Sequence, residues 1–237
     1  MEGRYKVKVG FFDSGVGGTC IRDAFVSLCP GVETEYLADT AHCPYGNRSP
    51  EEIRKLSEAN VRTLRHRGCG MVVVACNTAT AAAIDYLRAK HPEFPFVGIE
   101  PALKPAALRS KTGVVGVLAT AGTFQGRLYN ETKAKFAKNV TVLAVVADEF
   151  VTLVEGARTP DGSAVDAAKL QTPAVEKVVR ARIEPLLKAG ADKIVLGCTH
   201  FPHLKPAIEK VCAGRAEVID PSLAVARQAK RIMEALP

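Results

Sequence analysis

The sequence runs to 237 residues, 47% hydrophobic and 24% charged, with a formal charge of +7 from 32 Lys and Arg against 25 Asp and Glu. That length holds one large domain or two compact ones, and its apolar content builds a core without disulfide or metal staples. The composition excludes disorder and fibrous repeats, and no apolar run approaches the ~18 residues of a membrane span.

The N-terminal Met1-Glu2-Gly3-Arg4-Tyr5-Lys6 mixes charges with small residues and lacks the apolar core of a signal peptide. Seven cysteines, an odd number with no Cys-x-x-Cys pair, suit a reducing, cytoplasmic setting where a special Cys serves chemistry. Basic residues such as Arg54, Lys55, Arg62, Arg65 and Arg67 spread along helical segments without aromatic interleaving. They read as a solvated surface, which implies neither nucleic acid nor membrane as a partner and helps an anionic substrate arrive.

Short apolar runs alternate with helical stretches along the chain. Val7–Asp13 is strand-like, followed by a Gly15–Gly18 turn and a helix to about Cys29; Glu35–Ala38 is a second strand and Pro50–Arg67 a helix. Met71–Cys76 is a fully apolar strand and Thr78–Lys90 an Ala-rich helix. The order then restarts with strand Phe96–Ile99, a helix from Pro101, strand Gly113–Leu118, a helix from Thr123, strand Val140–Val146 and a helix over Asp148–Gly156. A polar stretch around Thr159–Ser163 leads to helix Pro173–Lys188, strand Lys193–Cys198, a helix through Val211, strand Glu217–Ile219 and a last helix. Apolar strands bounded by helices predict parallel sheets covered on both faces, an α/β fold.

The two halves echo one another. Val9-Gly10-Phe11-Phe12-Asp13-Ser14-Gly15 parallels Val115-Gly116-Val117-Leu118-Ala119-Thr120-Ala121, and Val72-Val73-Val74-Ala75-Cys76-Asn77-Thr78 parallels Lys193-Ile194-Val195-Leu196-Gly197-Cys198-Thr199. This predicts two pseudo-symmetric parallel-sheet α/β domains, residues 1–98 with 221–237 and residues 99–220, with the active site in the cleft between them. Open α/β sheets place ligands at the carboxyl ends of strands, so the duplication aims Cys76 and Cys198 at one cleft. Cys20, Cys29, Cys69 and Cys212 read as small buried hydrophobes. A thiolate at a helix N-terminus has a lowered pKa, and the repeat places Cys76 and Cys198 before helices. A thiolate facing a thiol across a substrate carbon removes a proton from one face and returns one to the other. That is the layout of a racemase or epimerase.

Four separated motifs span nearly the whole chain: Phe12-Asp13-Ser14-Gly15-Val16-Gly17-Gly18, Asp39-Thr40 with Pro44-Tyr45-Gly46, Ala75-Cys76-Asn77-Thr78-Ala79, and Gly197-Cys198-Thr199-His200-Phe201-Pro202. In this order and spacing the chain resembles the glutamate racemases of the aspartate/glutamate racemase superfamily. The resemblance implies that Cys76 and Cys198 are the catalytic acid/bases, with Cys76 serving the D-enantiomer and Cys198 the L-enantiomer. It further implies that Asp13 and His200 assist proton movement at their respective thiols, with the Glu155 carboxylate near the second. Asp13, Ser14, Tyr45, Gly46, Asn77, Thr78, Thr199 and His200 are implied to bind glutamate. No metal or organic cofactor is implied; a homodimer, a bacterial source and supply of D-glutamate for peptidoglycan are. The Cys198-Thr199-His200 form points to the glutamate branch rather than the aspartate one. Cys43 stands where an apolar residue is usual and receives no role.

These positions also make physical sense alone. Substrate carboxylates call for aimed, uncharged donors: the backbone N–H of Gly46, Asn77, Thr78 and Thr199, and the hydroxyls of Ser14 and Thr199. Such donors strengthen as charge moves onto the carboxylate in the transition state. Three rival readings stand beside this one. Gly15-Val16-Gly17-Gly18-Thr19-Cys20 with Asp39 imitates a dinucleotide-binding turn, although Cys20 replaces the third small residue. Cys198, His200 and His203 could start a metal site, but no fourth ligand is evident. A binding module with merely packed cysteines predicts no deuterium uptake at a bound amino acid's α-carbon.

Overall fold

A computed structural model of the protein describes residues 7–236. The charged N-terminal lead, on which the signal-peptide reading rests, lies outside that range. In chain order the elements are β1 (Lys8–Asp13), α1 (Thr19–Leu28), β2 (Thr34–Ala38), α2 (Pro50–His66), β3 (Cys69–Val74), α3 (Asn77–Lys90) and β4 (Phe96–Gly98). Then come α4 (Leu103–Arg109), β5 (Val114–Ala119), α5 (Ala121–Gln125), α6 (Arg127–Phe136), β6 (Thr141–Val146) and α7 (Asp148–Gly156). The chain closes with α8 (Pro173–Lys188), β7 (Lys193–Leu196), α9 (Lys205–Cys212), β8 (Glu217–Ile219) and α10 (Ser222–Glu234). Among the described residues, no helix is long and apolar enough to cross a membrane.

The strands form two parallel four-stranded sheets, ordered β2-β1-β3-β4 and β6-β5-β7-β8. The sheets share one topology, so β1 corresponds to β5 and β3 to β7, the pairs whose sequences echo. Alternation of side chains along each strand gives two apolar faces. On the first sheet, Phe11, Met71 and Val73 pack under Ile21 and Phe25 of α1 and under Ala226, Ala229 and Met233 of α10. Phe12, Val72 and Val74 face the other way, against Ile53 and Leu64 of α2 and Ala83 and Leu87 of α3. The last helix therefore returns to the first sheet. On the second sheet, Ile194 and Leu196 meet α7, α8 and α9, whereas Val115, Val117 and Val195 meet Leu103 and Ala106 of α4 and Tyr129 of α6.

Local signals mark the starts of two long helices. Ser49 and Glu52 make a reciprocal capping box ahead of α2, with Pro50 at its first position. Thr172 caps α8 by a single bond, its hydroxyl accepting from Val175 N–H, again with Pro at the first position. Two features depart from the sequence expectation. The single helix expected from Thr123 is broken into α5 and α6 at Gly126, where a Cβ would lie 2.6 Å from Ala81 Cβ of α3. The edge strand β6 is half-exposed rather than covered, with Val146 at 42% exposure.

Candidate active site

The carboxyl ends of β1, β3 and β7 converge, and the chain following each supplies polar side chains that the sheets hold rigidly. Asp13 ends β1, Cys76 follows β3 as the N-cap of α3, and Cys198 follows β7. All four of Asp13, His200, Cys76 and Cys198 are buried, at 0%, 1%, 4% and 7% exposure.

Around Cys76 the partners come from both halves of the chain. The Ala79 N–H donates to Cys76 Sγ at 3.5 Å, and Sγ lies 3.9 Å from Ser14 Oγ. Asp13 accepts from Ser14 Oγ at 3.1 Å and from Thr199 Oγ1 at 2.9 Å, the second across 186 positions of sequence. Burial raises the Asp13 carboxyl above the usual carboxylate range; the His200 charge and the hydrogen bonds of Thr199, Cys76 and Ser14 offset this only in part. Burial, and then the Asp13 charge, also push the Cys76 thiol upward. The lowered pKa expected from its place at a helix N-terminus is thus overridden, because desolvation of a fully enclosed thiolate outweighs the terminal N–H groups.

Cys198 has a different setting. A bend and a short 3-10 turn, Phe201–Leu204, separate it from α9, so it does not stand at a helix N-terminus as the repeat predicted. Pro202 and Pro206 withhold N–H groups from this segment, and α9 begins only at Lys205. In place of a helix end, Cys198 Sγ has His200 Nδ1 at 3.7 Å, and Nε2 of the same ring meets Glu155 Oε1 at 2.7 Å. Burial opposes charge on His200, but its hydrogen bonds to Cys198, Cys43 and Glu155 prevail and raise its pKa well above the ordinary value. Burial likewise opposes charge on Glu155, yet the His200 contact and the Val16 N–H hold it below the usual range.

Two glycines make this contact between the halves possible. The Val16 N–H donates to Glu155 Oε1 at 2.8 Å, and a Cβ on Gly15 would fall 1.9 Å from that oxygen. A Cβ on Gly17 would fall 2.5 Å from His200 Nδ1 and 2.7 Å from the His200 backbone nitrogen. The glycine turn is therefore filled by Glu155 and His200, which argues against its use as a dinucleotide cradle. Gly17→Ala should cost about 1–3 kcal/mol, as overpacking against fixed backbone does. A thermal melt should show this as a fall of several degrees, at roughly 2–4 °C per kcal/mol in a chain of this size.

The remaining candidates lie on the short turn after β2 and at the start of α3. Asn77 is buried, and neither its Oδ1 nor its Nδ2 has a partner among the described residues. A buried amide with four unused hydrogen-bonding sites points to a ligand. Helix geometry leaves the N–H groups of Asn77 and Thr78, the first residues of α3, without intrahelical acceptors. Tyr45 and Gly46 sit in a short 3-10 turn, Tyr45–Asn47. The Tyr45 hydroxyl is committed to Asp39 and accepts from Asn60 Nδ2 at 3.1 Å, and its ring is buried in the apolar cluster that also holds Phe12, Ile53 and Cys76. The Ser14 and Thr199 hydroxyls spend their protons on Asp13, so they reach a substrate carboxylate as donors only by turning away from it.

The rival metal constellation of Cys198, His200 and His203 is not assembled. His203 Nε2 turns instead to Thr19 Oγ1 and Cys20 Sγ, each at 3.3 Å. Burial lowers the His203 pKa to about 4 and raises the Cys20 thiol to about 12, so this pair is neutral and inert. Thr120 and Thr123, which received no role from the sequence, form a hydroxyl chain with Thr78, at 2.9 Å and 3.1 Å. The signal was present: Thr120 occupies the place of Ser14 in the echoed segment.

Residues 20–229 match the family model Asp/Glu/Hydantoin racemase. Glutamate racemase of Herpetosiphon aurantiacus is 44% identical over 227 residues, 96% of this chain and 85% of that relative. The crystal structure of Escherichia coli glutamate racemase in complex with L-glutamate and the activator UDP-MurNAc-ala superposes with a TM-score of 0.84 at 33% identity, covering 97% of this chain and 83% of that one. Glutamate racemase from Francisella tularensis in complex with D-glutamate gives a TM-score of 0.78 at 26% identity, covering 96% and 80%. With its twin sheets and the two buried thiols beyond the carboxyl ends of β3 and β7, this chain belongs to the Asp/Glu/hydantoin racemase family, among the glutamate racemases.

Proposed function

We propose that this protein interconverts L- and D-glutamate by a two-base mechanism in which Cys198 and Cys76 act on opposite faces of the α-carbon. The observation that carries this reading is the equivalent placement of two buried thiols after β3 and β7, each with its own buried acid/base partner. In the L-to-D direction the Cys198 thiolate takes the α-proton, and the electron pair moves into the substrate carboxylate. The Cys76 thiol then delivers its proton to the other face. The turnover leaves Cys198 protonated and Cys76 ionised, so the enzyme must be reset or run the reverse reaction.

Each partner fits this proton accounting. His200 carries its proton beside Cys198, with Glu155 balancing the charge, and Asp13, raised by burial, exchanges a proton with Cys76. Charge developing on the substrate carboxylate is met by the Asn77 and Thr78 N–H groups and the unpaired Asn77 amide. Burial of both thiols keeps water from quenching the carbanion. All seven cysteines are free, in keeping with a reducing, cytoplasmic setting. The D-glutamate formed would supply peptidoglycan in a bacterial source, and assembly would be as a homodimer.

The direct test follows the circular dichroism of L-glutamate incubated with the purified protein and no added cofactor. The signal should decay to zero as the racemate forms; a persistent signal, with no deuterium entering the α-position from D2O, would leave only a binding module. On specificity, aspartate should be at least about tenfold poorer in kcat/KM, the effect of one methylene plus an unpaired buried donor. Equal turnover of aspartate would keep the thiol chemistry and reject the substrate.

A further inference from the structure

Cys43 is a thiol beside His200 that neither takes nor gives a proton in the proposed racemisation. It ends the short turn Thr40–His42, is half-buried, and its Sγ lies 3.2 Å from the point where a Gly15 Cβ would sit. Its Sγ, a Glu155 carboxylate oxygen and a His200 ring nitrogen all fall within 4.8 Å of one another. The three ligands come from three separate segments: the loop after β2, helix α7 and the turn after β7. No other group of three or more metal-ligating side chains clusters this closely among the described residues. We propose that Cys43, Glu155 and His200 form an inhibitory binding site for a borderline-soft divalent cation, with Zn2+ the best fit.

The donor set carries the choice of metal. A thiolate, an imidazole and one carboxylate suit Zn2+, whereas Mg2+ and Ca2+ seek several oxygen ligands. Tetrahedral Zn2+ with these ligands wants donor atoms about 3.4–3.6 Å apart, given bonds of roughly 2.0–2.3 Å. Small rotations of Cys43 and Glu155 bring a cluster of this size to that spacing. Zn2+ would replace the proton held between His200 Nε2 and Glu155 Oε1, now 2.7 Å apart, while the Cys43 thiol loses its proton to solvent. Water completes the shell; Cys198, whose Sγ lies 3.7 Å from the other ring nitrogen, stays on the far side of the imidazole. Arg158, 3.7 Å from Glu155 Oε2, is the nearby cation that must give way; it is 35% exposed and free to turn outward. Bound metal would take His200 and Glu155 out of their present hydrogen bond, which stops proton transfer at Cys198.

The test uses chelator-washed, full-length enzyme with the metals alone. Zn2+ should inhibit racemisation, a chelator should restore it, and Mg2+ at the same concentration should do nothing. Cys43→Ala should need at least about tenfold more Zn2+ for half-inhibition, measured against its own uninhibited rate, as loss of a ligand demands. Co2+ serves as a readout that does not require turnover, so this inference and the proposed reaction fail separately. It should give a thiolate-to-cobalt charge-transfer band in the wild type that is lost in Cys43→Ala and in the better-packed Cys43→Ser. Equal Zn2+ sensitivity of wild type and Cys43→Ala, or a cobalt–thiolate band that survives in both variants, would move the metal to other thiols and overturn the site. Inhibition by Mg2+ equal to that by Zn2+ would overturn it as well.

Discussion

Cys76→Ser and Cys198→Ser should each lower kcat/KM for glutamate racemisation by at least about 10^3-fold, at the upper end of what a positioned acid/base contributes. Serine keeps the shape of each site and the Ala79 N–H contact at position 76, so the loss reports proton transfer rather than collapse. A serine hydroxyl is far too weak an acid to stand in for either sulfur. The two variants part company when only one base is needed. A glutamate carrying a leaving group on its β-carbon can eliminate after a single deprotonation: the base takes the α-proton and the leaving group departs with its electron pair. Cys76→Ser should retain this elimination for the L-hand, through Cys198, and Cys198→Ser for the D-hand, through Cys76. Residual elimination of both hands in both variants would contradict one thiol per face. In a substrate complex the two sulfurs should stand roughly 7 Å apart, about 3–3.5 Å on either side of the reacting carbon.

The fold was largely legible because its strands are apolar runs of the right length and two of its long helices carry explicit start signals. Ser49-Pro50-Glu51-Glu52 and Thr172-Pro173 name their helices, and the echo of residues 72–78 in 193–199 foretells twin sheets of one topology. Where the reading slipped, contacts distant in sequence decided. The break at Gly126 exists because Ala81, 45 positions earlier, lies against it. The candidate site was legible as residue types, not as environment. Position before α3 says that helix N–H groups reach Cys76, yet only the folded chain shows how completely burial and Asp13 reverse their effect on the thiol. The Cys198 segment looked like its counterpart, but two prolines and a histidine gave it a 3-10 turn and an imidazole instead of a helix end. Cys43 could not be placed beside His200 from spacing, since 157 residues separate them and only the sheet geometry brings them together.

The roles assigned to Asp13 and His200 make a sharper demand than loss of rate. L- and D-glutamate are equally stable in water, so the overall equilibrium constant is unity and kcat/KM must be the same in both directions for any variant. Asp13→Asn and His200→Asn should each lower that common value by roughly 10^2–10^4-fold. What differs is which proton transfer each variant slows. His200 lies 3.7 Å from Cys198, and Asp13 is bonded to Cys76 and its neighbour Ser14. In His200→Asn the transfer at Cys198 should limit the reaction from either side. The primary deuterium isotope effect on kcat/KM should then be large for [2-2H]-L-glutamate, whose labelled bond breaks in that step. It should be small for the D-enantiomer, whose labelled bond breaks in the faster one. In Asp13→Asn the two should exchange. A packing defect at either residue would slow both enantiomers without moving the isotope effects in opposite senses. Shifts of the same sense in both variants would therefore reject the assignment of one proton-handling partner to each thiol, while leaving the thiols themselves in place.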